Sequence, residues 1–359
     1  MQIESLRIQN VRILDNIRIT PGQTLNSIVG PNASGKTSFL EAIYILSRGR
    51  SFRTPRIHEV ITNHKETLLV SAEGSNRNDR RMQTGIEKSR GRTCLKYNGF
   101  IVSKISQQAA NLPVILITPE SHSLVTGDPK RRRLWLDWAL FHVEPSYLDH
   151  WRAYHRAYRQ RNHLVQQGMK DSNQITGWER AMEQEATVIT FLRKRFIEDL
   201  QGQFTLLAEE TGPLQVQIEL QQGWTDGTNL YEVLESSREA DIQTGHTRHG
   251  IHRGDVVFKR DNRSMSRVCS RGEIKQFITI LLIAQARLLS MRLGEYPLIL
   301  FDDLASELDV NSRNLVITLL QGLHSQVFMT MTDIESTGTA RVGEAVFHVE
   351  HGNIRKVVR

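Results

Sequence analysis

The octet Gly30-Pro31-Asn32-Ala33-Ser34-Gly35-Lys36-Thr37 carries the densest chemistry in the chain. It fits the spacing G-x-x-x-x-G-K-[ST], in which each residue type has a task. Gly30 and Gly35 let successive backbone N–H groups curl around an oxyanion with no Cβ in the way. The N-terminus of a following helix adds free donors and a partial positive charge. Lys36 can reach the outer phosphates of a nucleoside triphosphate, and the Thr37 hydroxyl can take a place on Mg²⁺. All eight residues are candidate nucleotide contacts; Lys36 is also a catalytic candidate and Thr37 a metal ligand. Far downstream, the apolar run Leu298-Ile299-Leu300-Phe301 ends in Asp302-Asp303. Asp302 is suited to orient Mg²⁺ or its waters, and Asp303 to polarise an attacking water, which makes it the second catalytic candidate. A third segment, Cys269-Ser270-Arg271-Gly272-Glu273, lies just before a helical stretch. Ser270 and Gly272 can hold a γ-phosphate by hydroxyl and backbone N–H; read alone, the same residues make a plain N-cap.

These groups work only if the right elements hold them. Thr24 to Val29 reads as a strand entering the phosphate loop, and Ser38 to Leu46 as the helix leaving it. Residues 1–125 are strand-rich, with Asn98-Gly99 as a tight hairpin turn after Arg92 to Tyr97. Residues 126–213 change to long helical patterns. Tyr147, Trp151, Tyr154 and Tyr158 form one apolar stripe, and Trp178, Met182, Ile189, Leu192, Phe196, Leu200, Phe204 and Leu207 form another. Both read as packing seams, and Thr211-Gly212-Pro213 stops the second helix. Residues 214–359 return to mixed α/β, with continuous apolar runs at 297–301 and 326–330 suited to a parallel sheet buried on both faces. Asp302 follows Lys36 by 266 residues, a gap that the helical insertion fills.

The chain has 359 residues, a formal charge of +7 and two widely separated cysteines, Cys94 and Cys269, which make no metal or redox motif. No run approaches the length of apolar residues a membrane span needs, and the charged N-terminus is unlike a signal peptide, so a soluble cytoplasmic protein is expected. Arg48 to Lys104 alone carries a surplus of +8. Such a field favours a polyanion, although a solvated basic face would look the same. Lys130-Arg131-Arg132-Arg133, beside Trp135 and Trp138, is a second basic cluster suited to phosphate contacts and base stacking. Leu134, Trp135, Trp138 and Leu140 also read as one buried helix face. Candidate DNA contacts are Arg77, Arg80, Arg81, Lys88, Arg90, Arg131, Arg132 and Arg133.

Phosphate loop, Ser-x-Gly segment, Asp-Asp strand and Ala305-Ser306-Glu307-Leu308-Asp309 occur in the order of the ATPase heads of the ABC superfamily, which the chain resembles. The closer resemblance is to the RecF family of the SMC-like branch. It is carried by Asn26 to Thr37, Gly49 to Thr54, Pro119 to Arg133, Tyr158 to Asn162, Gly250 to Arg253 and Leu300 to Asp309. The resemblance implies an α/β fold: an ABC-type P-loop ATPase head, residues 1–125 with 214–359, and a helical lobe, residues 126–213, inserted between phosphate loop and signature. It also implies ATP and Mg²⁺ as cofactors and ATP-dependent homodimerisation. Ser270 and Gly272 of one copy would then meet the γ-phosphate held by Lys36 of the other. Binding to single-stranded DNA and single-strand/double-strand junctions, loading of RecA with RecR, and support of repair, replication and the SOS response follow from the same resemblance, as does weak DNA-dependent ATPase activity. Departures from the pattern point to slow turnover. Glu273 stands where the signature often has Gln, Asp303 is one methylene shorter than the common Glu, and Thr330 and Thr332 follow the last strand where many transporter ATPases have His. The rival reading is the ATP-hydrolysing subunit of an ABC transporter, against which the missing His, the inserted helices and the basic segment argue.

Overall fold

The computed structural model describes residues 2–75, 80–169, 173–211, 214–303, 310–332 and 343–357. They pack into two compact units, Met1–Ser121 with Lys275–Arg359, and His122–Ile274.

The first unit is built on two six-stranded sheets. In one, Leu14–Ile19, Gln2–Val11, Leu68–Ser75, Arg81–Lys88, Thr93–Tyr97 and Phe100–Val102 pair antiparallel in that spatial order. Alternation is clean: Leu68, Val70 and Ala72 are buried, while their neighbours are half-buried or exposed. The other sheet runs Asn353–Val357, Ala345–Glu350, Leu25–Val29, Val327–Met331, Leu298–Phe301, Val114–Ile117, and is parallel apart from its C-terminal hairpin. Its central strands are buried at every residue, as their continuous apolar runs require. The sheets are tied by Gln326, whose amide accepts from Ile3 N at 2.8 Å and donates to the carbonyls of Ile3 and Gly22. The helix Lys36–Arg48 lies in the shared core, with Phe39, Leu40, Ile43 and Leu46 fully buried.

The second unit holds the helices Pro129–Val143, Tyr147–Gln166 and Asn173–Thr211 and a small sheet of Gln217–Gln221, Asp255–Arg260 and Arg263–Ser264. The sequence pattern groups residues 214–274 with the phosphate-loop lobe; in the structure they pack with the helices in the unit His122–Ile274. The strand Gln217–Gln221 pairs only with Asp255–Arg260 among the described residues, and Gln201 on the long helix donates to Val216 O and accepts from Ile218 N. Tyr147 and Tyr154 are buried, as the stripe predicted. On Pro129–Val143 the buried face is Arg132, Leu136, Ala139 and Leu140; Leu134 is half exposed, because it points off that face.

The helix Arg271–Leu293 reaches a mean hydropathy of 1.4 and is long and apolar enough to cross a membrane, contrary to the expectation that no such segment exists. It is also 72% buried over that window, the environment of a core helix.

Candidate functional site

The octet forms a tight turn between the strand Leu25–Val29 and the helix Lys36–Arg48. Ala33 and Gly35 adopt left-handed backbone, φ 63° and 114°. Gly30 is irreplaceable for a different reason: a Cβ there would lie 2.2 Å from Val349 O. The turn is pinned by Ser34 N to Pro31 O, Gly30 N to Met331 O and Gly352 N to Ser34 O. Lys36 is buried and donates to the carbonyls of Gly30 and Pro31 at 2.7 and 2.8 Å. Burial lowers its pKa, and the charges of Asp303 and Asp302 oppose that shift. The Ser34 hydroxyl is buried and meets no partner among the described residues.

Parallel pairing of Leu298–Phe301 with its two neighbours brings Asp302 to the same place. Its Oδ1 accepts from Thr37 Oγ1 at 3.0 Å and from Thr330 Oγ1 at 2.8 Å. Burial raises the Asp302 pKa, and the two hydroxyls partly offset this. Thr330 also accepts from the Asp303 backbone N–H at 2.7 Å, so one hydroxyl serves both carboxylate residues. Asp303 itself has φ 56°, a left-handed turn that Asp tolerates better than most residues. Pro119–His122 starts just beyond the neighbouring strand, and the charge of Glu120 contributes to raising the Asp302 pKa.

The fit to a nucleotide and its metal follows from these contacts. An orphaned Ser34 hydroxyl, a turn with Ala33 and Gly35 in left-handed backbone, and a buried ammonium suit a phosphate chain. Thr37 and Asp302, whose oxygens lie 3.0 Å apart, are of the type that could hold Mg²⁺. No group of three or more His, Cys, Asp or Glu side chains that could hold a metal ion occurs among the described residues, and Mg²⁺ commonly completes its shell with waters and substrate phosphates.

Sequence reasoning missed Glu41 and Arg12. Glu41 is fully buried on the helix after the loop and takes a two-pronged ion pair from Arg12, at 3.0 Å on each oxygen. Ser51 also donates to Glu41, and Arg53 lies 3.6 Å away. An acid within a helix of buried apolar residues was the available signal. Both Ser51 and Arg53 belong to the Gly49 to Thr54 segment that the resemblance rested on.

Ser270 and Glu273 form a reciprocal capping box at the start of Arg271–Leu293: Ser270 N donates to Glu273 Oε2 at 2.8 Å, and Glu273 N to Ser270 Oγ at 3.3 Å. The Ser270 N–H and then the Arg260 guanidinium hold the Glu273 carboxyl down to about 2. Glu273 therefore serves the helix start. Ser270, Arg271 and Gly272 remain exposed. Ala305 to Asp309 lie outside the described residues.

The predicted DNA contacts divide. Arg80, Arg81, Arg90 and Arg131 are exposed, and Arg131 donates to Ser123 Oγ. Lys88 donates to Gly49 O, with its pKa lowered by burial. Arg133 donates to Gly254 O and is half-buried. Arg132 is turned inward, paired with Asp255 at 2.7 and 2.9 Å and bonded to the carbonyls of Leu124 and Gly127. It falls on the buried face of its helix, so its charge is spent on the fold. Arg77 lies outside the described residues.

Comparison with known proteins agrees with this geometry. Residues 2–355 match the model of the RecF/RecN/SMC N-terminal domain. A DNA replication and repair protein RecF of Nitrosococcus oceani is 37% identical over 372 residues, covering 100% of both chains. Among solved structures, a recombination mediator RecF with ATP superposes with a TM-score of 0.88 at 22% identity, covering 99% of this chain and 98% of that one. An Smc head bound to the C-terminal winged-helix domain of ScpA gives a TM-score of 0.61 at 15% identity, covering 99% and 97%. The fold is thus that of an ABC-type ATPase head, and the chain belongs to the RecF family of DNA replication and repair proteins.

Proposed function

We propose that the chain is an ATP-dependent DNA-binding protein that assembles as a homodimer on nucleotide binding. Gly30 to Thr37 hold ATP, Thr37 and Asp302 hold Mg²⁺, and Ser270 and Gly272 of one copy approach the nucleotide of the other. The reading is carried by the buried Lys36–Thr37–Asp302–Thr330 constellation. At the second half-site the reading is supported by the exposure of Ser270 and Gly272 at the start of the helix Arg271–Leu293, where backbone N–H groups are open to an anion.

Bound ATP supplies the γ-phosphoryl group whose loss to water resets the assembly. The protein's own part is positional. Lys36 presents a cation against the phosphate chain, Thr37 and Asp302 fix the metal's orientation, and Asp303 orients water. Turnover is slow, because Asp303 is shorter than Glu and sits in a constrained left-handed turn. In the cell the protein works in the cytoplasm on single-stranded DNA and single-strand/double-strand junctions. With RecR it helps load RecA, and so supports repair, replication and the SOS response. The transporter alternative loses its ground in a chain of the RecF family.

The decisive experiment is sedimentation with a non-hydrolysable ATP analogue. Wild type should dimerise and Lys36→Met should remain as without nucleotide. A dimer that persists in the variant rejects nucleotide bridging.

A further inference from the structure

The hairpin formed by Thr93–Tyr97 and Phe100–Val102 closes one edge of the antiparallel sheet, with Asn98 and Gly99 at φ 49° and 83° as its turn. Two apolar side chains on that edge stand in water: Phe100 is 78% exposed and Ile101 76%. The register sets Phe100 opposite Tyr97 and Ile101 opposite Lys96. From 80 to 105 the chain carries seven Lys/Arg against one acid, Glu87. Beside the hairpin is a cavity of about 440 Å³, lined by Arg80, Arg81, Tyr97, Asn98, Asn111 and Glu295, among others. That volume lies in the range of small-ligand sites.

Two features select the occupant. Protein-binding patches are depleted of Lys at their centres, yet Lys96 stands directly beside the exposed Ile101. An aromatic platform inside a basic field is the pattern that engages unpaired nucleotides, since every base offers a π-face to stack on. A paired duplex keeps those faces covered. Arginines and carboxamides together match phosphate oxygens and base edges.

We infer that this hairpin engages single-stranded DNA crossing the sheet edge: Phe100, on the face of Tyr97, stacks on one unpaired base, Ile101, on the opposite face beside Lys96, wedges against the next, and the cavity beside Tyr97 takes one nucleotide with its phosphate toward Arg80 and Arg81. This rests on the DNA-binding reading above and names the part of the substrate that the hairpin contacts.

The test is anisotropy titration of oligothymidylate, a blunt duplex and a single-strand/double-strand junction at low salt. The double variant Phe100→Ala, Ile101→Ser should bind oligothymidylate and junction on the order of 5- to 100-fold more weakly, with the duplex unchanged. Phe100→Trp should retain single-strand affinity, and its fluorescence should be quenched on binding. Both variants are at exposed positions, and thermal melting checks that they fold. If wild type binds DNA and the double variant binds oligothymidylate as tightly, the hairpin does not touch the strand and the inference falls alone; equal losses on duplex and single strand also overturn it. If wild type binds none of the three, the DNA-binding reading falls and takes the hairpin with it.

Discussion

Arg161, in the inserted unit, and Lys36, in the phosphate loop, are both buried cations, but their surroundings differ. Every arm of the Arg161 guanidinium is engaged: Nε with Glu179 at 3.1 Å, one terminal nitrogen with Asp241 and Thr247 at 2.8 Å each, and the other with Leu234 O at 3.1 Å. Glu179 and Asp241, themselves fully buried, take further pairs from Arg238 and Arg248. Lys36 has two backbone carbonyls, a pKa lowered by burial, and beside it a Ser34 hydroxyl with no partner among the described residues. Saturated polar networks fix architecture. A cluster that keeps a buried hydroxyl without a partner is open to a ligand, because buried polar groups left without partners are costly until something satisfies them.

Breaking the saturated side should have the largest effect. Arg161→Met leaves Glu179 and Asp241 buried with diminished compensation, and should cost about 3–5 kcal/mol in chemical denaturation. A loss below about 1 kcal/mol would mean that Arg238 and Arg248 suffice for both acids. Next comes a neighbouring pair of arginines. Arg132→Ala removes the partner of Asp255 and should destabilise by about 3 kcal/mol. Arg131→Ala should leave stability alone and reduce the salt slope of DNA binding by about one unit. Equal behaviour of the two would erase the distinction between a buried and a surface cation on one helix.

A pH titration sharpens the contrast further. His252 is half-buried against Tyr154, whose hydroxyl lies 2.9 Å from its Nδ1, and desolvation holds its pKa down to about 4 from the ordinary 6.5. The folded chain keeps it neutral where the unfolded chain protonates it. Stability is therefore fully present above pH 6.5 and declines as pH falls towards 4, by up to about 3 kcal/mol. His252→Gln should flatten that slope in melts across the same window. The smallest stability effect belongs to Lys36→Met. Removing a desolvated ammonium should change the melting free energy by less than about 1 kcal/mol while abolishing the response to nucleotide. A large destabilisation would make Lys36 a structural residue like Arg161.

Several of these contrasts were readable beforehand. Gly30, Gly35, Lys36 and Thr37 act through contiguous backbone, so their spacing alone implied the turn. Continuous apolar runs ending at Phe301 and near Met331 implied buried parallel strands. Exposed Phe100 and Ile101 were not legible, because an apolar residue beside a hairpin turn reads as core until the sheet edge is known. Nor was the inward turn of Arg132, which depends on Asp255, a residue 123 positions away.

The sequence by itself determined the chemistry of the phosphate loop and the presence of a helical insertion, since each is written in local spacing and hydrophobic period, whereas the extent of the inserted unit, His122–Ile274, emerged only from the packing. Tertiary structure alone decided which charges are spent on the fold and which are left over. Thr330 becomes the hub for Asp302 and Asp303, and Glu273 closes a helix start with Arg260 at its back. The reason is physical. A motif needs only neighbours in the chain, whereas desolvation and pairing depend on which distant strand or helix arrives beside each charge.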